Sequence, residues 1–108
     1  MIISVTGKQL DVGEALRLHA EAELTVLAQK YFDQVIDAAA VFSREAHLFR
    51  ADVSVHVGRD LSFTAEASAN EPYPAFDLAA ERLAKQLRRH KRKLRDHHRA
   101  TPRPTIEE

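Results

Sequence analysis

The 108-residue chain contains no cysteine. That excludes a disulfide framework and a thiolate metal site, and nothing in the composition argues for an oxidising compartment. Long apolar runs are also missing. The opening Met1-Ile2-Ile3-Ser4-Val5 has neither the basic start nor the extended apolar stretch of a secretory leader, and no later segment approaches membrane-spanning length. The expectation is a soluble cytoplasmic protein without membrane partners. Catalytic signatures are absent as well: there is no G-x-S-x-G elbow, no G-x-x-x-x-G-K-S/T phosphate loop and no H-E-x-x-H pair, and Gly7-Lys8 alone makes no phosphate cradle. Asp60 and Glu66 fall at a turn and on the wet side of a strand, where they read as surface charge. A non-enzyme with no cofactor and no small-molecule substrate is expected. Aromatic residues make up only 6% of the chain, and Phe42, Phe49 and Phe63 sit in strand patterns that look like core. Tyr73 is left as a packing residue at a helix entry, so recognition by base stacking is not the expectation. Of the six histidines, His90, His97 and His98 accompany a basic run. Adjacent helical residues diverge and no carboxylate or thiol completes a ligand set, so no metal site is expected. His90 reads instead as a half-buried rim residue, and His19, His47 and His56 are scattered.

What is present is charge, unevenly placed. Sixteen Lys and Arg balance sixteen Asp and Glu, yet between Arg82 and Arg99 nine bases, Arg82, Lys85, Arg88, Arg89, Lys91, Arg92, Lys93, Arg95 and Arg99, face the single acid Asp96. Before Arg82 acids outnumber bases. Such asymmetry points to a polyanionic partner met by one end of the chain.

The length suits one compact domain, taken as residues 1–99 with a flexible Pro-punctuated tail over 100–108. Ile2 to Thr6, ended by Gly7, reads as a strand. Asp11 with Glu14 has the spacing of a capping box, and Leu16, Ala20, Leu24, Leu27 and Tyr31 recur at helical spacing, which predicts a helix to about Tyr31. Val35 to Arg44 is read as a strand, although its alanines are weak strand formers. Phe49 to Val57 and Leu61 to Ala69 alternate apolar with polar residues around a Gly58-Arg59-Asp60 turn, which predicts two antiparallel strands with one face wet. Pro72 and Pro74 announce a last helix from about Pro74 to Arg95 or a little beyond. On it Phe76, Ala79, Ala80, Leu83, Leu87, His90 and Leu94 form one apolar stripe. The predicted fold is α+β, a β-α-β-β-β-α two-layer sandwich with an antiparallel-rich four-stranded sheet and both helices on one face, similar in order to double-stranded-RNA-binding domains apart from its first strand.

On the last helix Arg88, Lys91, Arg92, Arg95 and Arg99 project from one side of the stripe, and Arg82, Lys85, Arg89 and Lys93 from the other. A solvated face normally intersperses acids; here like charges at i,i+3 and i,i+4 cost the isolated helix about a few tenths of a kcal/mol per pair. Phosphate neutralisation with release of counterions supplies a compensating term, so the helix is read as binding RNA.

Two stretches then resemble the short form of the hibernation-promoting factor and ribosome-associated inhibitor family, which includes protein Y and the sigma-54 modulation protein. One is Thr6-Gly7-Lys8-Gln9-Leu10-Asp11-Val12-Gly13-Glu14-Ala15-Leu16. The other is Tyr73-Pro74-Ala75-Phe76-Asp77-Leu78-Ala79 followed by Leu83, Lys85-Gln86-Leu87 and the basic run. The resemblance covers residues 1 to 99. It implies a monomeric translation-silencing factor whose final helix occupies the decoding channel of the small ribosomal subunit, blocking tRNA and mRNA and preserving idle ribosomes during stress or stationary phase. It further implies that Lys85, Arg88, Arg89, Lys91, Arg92 and Lys93 contact rRNA phosphates with Arg82 and Arg95 flanking, and, by its position, Asp77 is expected to serve the helix dipole. The first helix departs from the family pattern in carrying Glu23 where lysine is common. Two other readings stand beside this one: a general double-stranded-RNA-binding or RNA-chaperone module, and a protein-interaction module whose basic helix meets an acidic partner.

Overall fold

The computed structural model describes residues 1–32, 34–58 and 61–100, with side chains described as far as residue 92. The order is β1 (Ile2–Gly7), α1 (Glu14–Tyr31), β2 (Asp37–Glu45), β3 (Leu48–Gly58), β4 (Leu61–Ala69) and α2 (Pro72–Ala100). The expected β-α-β-β-β-α order is therefore present. The Gly58-Arg59-Asp60 turn and the tail fall, wholly or in part, outside the described residues.

The four strands form one sheet in sequence order. β2, β3 and β4 pair antiparallel, with Ala40 opposite Val53 and Val53 opposite Ala65. The sheet is antiparallel-rich as expected, and the first pair is its exception: β1 runs parallel to β2, with Ile3 beside Ala38 and Val5 beside Ala40. The physical reason lies in the connection: the 18-residue α1 returns the chain to the starting end of the sheet, whereas a hairpin would have reversed it.

Strand alternation sorts the sheet into two faces. Ala38, Ala40 and Phe42 of β2, Ala51, Val53 and Val55 of β3 and Ala67 of β4 are buried beneath the helices. Their counterparts Val41, Ser43, Arg50, Asp52, Ser54, Thr64 and Glu66 remain half-buried or exposed on the other face. Both helices thus cover one side of the sheet. Two of the alanines that weaken β2 as a strand on propensity alone, Ala38 and Ala40, are among the best buried residues, because side-chain packing rather than backbone preference decides strand formation.

From α1, Leu16, Ala20, Leu24, Ala28 and Tyr31 enter the core. Its start differs from the expected capping box. Gly13 occupies the N-cap with no side-chain cap, and Glu14 is the first helical residue. A capping box needs its glutamate three positions inside the helix. Glu14 instead pairs with Arg17 at 2.7 Å, an arrangement that raises the Arg17 pKa through the hydrogen bond and the charge of Glu14, while its own charge still suits the helix N-terminus.

Candidate nucleic-acid interface

With 29 residues α2 is roughly 43 Å long at 1.5 Å per residue, longer than the strands beneath it. It begins at Pro72, a position that needs no N–H donor, and Ala75 N–H already bonds to the Glu71 carbonyl at 3.2 Å. One stripe holds it to the sheet: Ala75, Phe76, Ala79, Leu83 and Leu87 are buried, and the Phe76 ring lies 6.1 Å from that of Phe42. Ala80 and His90 are half-buried beside the stripe. The His90 ring stands 5.1 Å from Phe63 and 6.1 Å from Phe32, which makes it the rim residue expected from its position. Leu94 lies beyond the described side chains.

Beyond Glu81, burying this stripe leaves the exposed positions up to Arg92 to the cations. Arg82, Lys85, Arg88, Arg89, Lys91 and Arg92 are all exposed. The described ion pairs involve none of them. Lys93 and Arg95 continue the same helix, with side chains outside those described. The candidate residues are thereby collected on a single rigid element. Fixed to the sheet along its opposite side, that element offers a dense row of cations able to neutralise phosphates without first breaking internal salt bridges.

Arg82 is distinct within the set. Its Nη1 donates to the Glu66 carbonyl at 2.6 Å, and Gln86 Nε2 donates to the Thr64 carbonyl at 2.7 Å. Tyr73 and Asp77 mark the junction with α1. His19 Nε2 lies 3.0 Å from Asp77 Oδ1, and the His19 ring is 5.2 Å from Tyr73 and 5.6 Å from Phe76. The expected dipole role of Asp77 is corrected here. No acidic residue stands in the first turn of α2; Asp77 lies in the second, where the dipole has faded, and it engages α1 instead. His19 and Asp77 are 58 residues apart, so sequence spacing carried no sign of the pair.

The open sheet face has the opposite electrostatic character. Arg50 bonds to Asp52 at 3.0 Å and to Glu45 at 3.4 Å, and it also reaches Glu66. Its pKa is raised, first by the hydrogen bond and charge of Asp52 and further by Glu66 and Glu45. His56 Nδ1 lies 3.3 Å from Asp37 on the same face. Among the described residues no group of three or more His, Asp or Glu converges to hold a metal ion, and no helix is long and apolar enough to cross a membrane.

A four-stranded mixed sheet with two helices on one face, the last of them carrying a run of exposed cations, defines a small two-layer α+β protein. The chain belongs to the Sigma 54 modulation protein / S30EA ribosomal protein family, whose model matches residues 3–95. It is 37% identical over 98 residues to the ribosome hibernation promotion factor of Rhizobium meliloti (strain 1021), covering 91% of this chain and 52% of that protein. To the ribosome hibernation promoting factor of Escherichia coli (strain K12) it is 33% identical over 97 residues, 90% of this chain and all of that one. The chain thus spans about half the length of the rhizobial relatives it matches. Among solved structures, the Thermus thermophilus Protein Y N-terminal domain superposes with a TM-score of 0.72 at 28% identity, over 83% of this chain and 99% of that one. A ribosomal subunit interface protein from Coxiella burnetii shares the fold with a TM-score of 0.72 at 24% identity, over 84% of this chain and 98% of that one.

Proposed function

We propose that this protein is a ribosome hibernation factor. It lays α2 on ribosomal RNA in the decoding channel of the small subunit, blocks access of tRNA and mRNA, and so silences translation while preserving idle ribosomes. The observation that carries the reading is the row of exposed cations Lys85, Arg88, Arg89, Lys91 and Arg92 on a helix held rigidly from behind by Phe76, Leu83 and Leu87. Family membership and the names of the relatives support it. Lys93 and Arg95 extend the same contact by their place in the sequence. The role is one of occupancy, in which the phosphates supply most of the affinity and the rigid scaffold supplies the fit.

Sedimentation of the purified protein with ribosomes through a gradient, at moderate and high salt and with or without bound tRNA, tests this. Stoichiometric co-migration with the small subunit that both tRNA and salt abolish is expected. Comparable affinity for arbitrary RNA duplexes would replace the reading with a general double-stranded-RNA-binding module, and protein left at the top of every gradient would replace it with a protein-interaction module.

A further inference from the structure

The sheet has two edges. β1 and β4 are both edge strands, each paired on one side only. An edge strand exposes a row of unpaired carbonyl and N–H groups. On β4 two of those carbonyls are taken by side chains of α2, Thr64 by Gln86 and Glu66 by Arg82. The spacings match. Residues four apart on a helix rise about 6 Å, and residues two apart on a strand advance about 6.5–7 Å, so an i,i+4 pair on an antiparallel helix meets alternate carbonyls of the strand.

We propose that Arg82 and Gln86 form a two-point latch that fixes the slide and roll of α2 on the sheet, Arg82 acting as a positioning residue for the RNA-binding row and not as a phosphate contact. This rests on the ribosome-binding reading above. Apolar burial along Phe76, Leu83 and Leu87 holds the helix down, but the hydrophobic effect is non-directional and distinguishes poorly between small rotations. Hydrogen bonds are directional, and two of them define a line. Sliding α2 by one residue, or rolling it by one step of about 100°, breaks both at once. Arg88, Arg89 and Arg92 follow within two turns of Gln86, so the latch sets the direction in which their guanidinium groups face. It also explains why an uncharged residue, Gln86, interrupts a stretch otherwise dense in cations. A ribosomal site that reads phosphates by position binds a pre-oriented row more tightly than one that must be oriented on docking.

The test uses the full chain and the variants R82A, Q86A, R82A/Q86A, R82K and R88A. Residual dipolar couplings in the free protein report the orientation of α2 against the sheet, and binding to purified small subunits is measured at several salt concentrations. R82A and Q86A are expected to shift or scatter the α2 couplings and to bind about three- to tenfold more weakly, the equivalent of one ordinary hydrogen bond lost from pre-organisation. Their salt dependence should match that of the unmodified protein, because no phosphate contact is lost. R88A should instead lower the slope by about one without disturbing the couplings. R82K, which keeps a donor, should recover the affinity. Unchanged couplings in the double variant would overturn the latch, and a slope that falls in R82A as it does in R88A would overturn the assignment of Arg82. If the unmodified protein binds no small subunits, the proposed function fails, and the couplings alone still decide whether the latch exists.

Discussion

Replacing Arg88, Arg89, Lys91 and Arg92 together by alanine should make the protein more stable and a much weaker ligand. All four side chains are exposed, and none belongs to the buried stripe. With Lys85 they form like-charge pairs at i,i+3 and i,i+4: 85 with 88 and 89, 88 with 91 and 92, and 89 with 92. At about 0.2–0.5 kcal/mol of repulsion each, removing these pairs stabilises the helix by about 1–2 kcal/mol, and alanine's helix propensity adds to the gain. Binding moves the other way. Each phosphate contact contributes about 0.7–0.9 to the slope of log K against log salt, so four lost contacts flatten the slope by about 3. Between 50 and 200 mM salt the unmodified protein should therefore lose about a hundredfold more affinity than the variant. Thermal unfolding and a salt series of small-subunit binding measure the two effects on the same preparations. A variant that is stabilised yet keeps its affinity and slope would refute the argument, because the repulsion would then have been tolerated for something other than phosphate.

Other consequences concern the scaffold. Phe76 is fully buried against Phe42, so F76A should cost about 3–5 kcal/mol in chemical denaturation, and a loss below about 1 kcal/mol would mean that α2 is not anchored by this ring. A methyl group at Gly7 would overlap the Leu10 carbonyl oxygen and stand 3.0 Å from Val12 Cγ2. G7A should therefore destabilise by about 1–3 kcal/mol through displacement of the segment that leads into α1, and an unchanged denaturation midpoint would remove that constraint. R50A leaves Glu45, Asp52 and Glu66 facing one another, with Asp52 directly across from Glu66. It should lower Tm, and more at low salt than at high salt because the exposed repulsion is screened; a drop independent of salt would contradict an electrostatic origin. The raised Arg50 pKa works in the same direction: stability from this cation is fully present below the ordinary arginine range and is lost only as pH rises through the folded value, so its contribution is constant across neutral pH.

The parts of the fold that were legible in sequence are those set by local period. Alternation from Phe49 to Val57 and from Leu61 to Ala69 fixed which residues face the core, and Glu66 lies on the wet face where the pattern put it. The stripe from Phe76 to Leu87 was equally plain. What escaped depends on registers that no local pattern encodes. The parallel β1–β2 pair follows from the return path of α1, the His19–Asp77 pair joins two helices, and the Arg82 and Gln86 bonds require the helix to sit at one particular height beside β4. Arg82 looked like every other cation of the run because sequence reports its charge and not its direction. The mistaken cap at Asp11 has a different source: the spacing was correct for a capping box, but a spacing does not say where the helix begins, and Gly13 took the position.

The Arg50 cluster was only partly within reach. Arg50, Asp52 and Glu66 were already on one face by alternation, but Asp52 stands opposite Glu66 because the pairing shifts by one residue between Gly58, which faces Leu61, and His56, which faces Ser62. Its place in the molecule also gives meaning to a net charge of zero. Acids Glu45, Asp52 and Glu66 gather around Arg50 on the open face and Asp37 stands beside His56 on that same face, while the cations of α2 stand on the helix layer across the core. If α2 meets a dense array of phosphates as proposed, its basic stretch is attracted as the acidic open face is repelled. Orientation would then precede contact. The two-layer fold makes this possible because the buried core of Val53, Val55, Phe42, Phe76 and Leu83 lies between the open sheet face and the exposed side of α2.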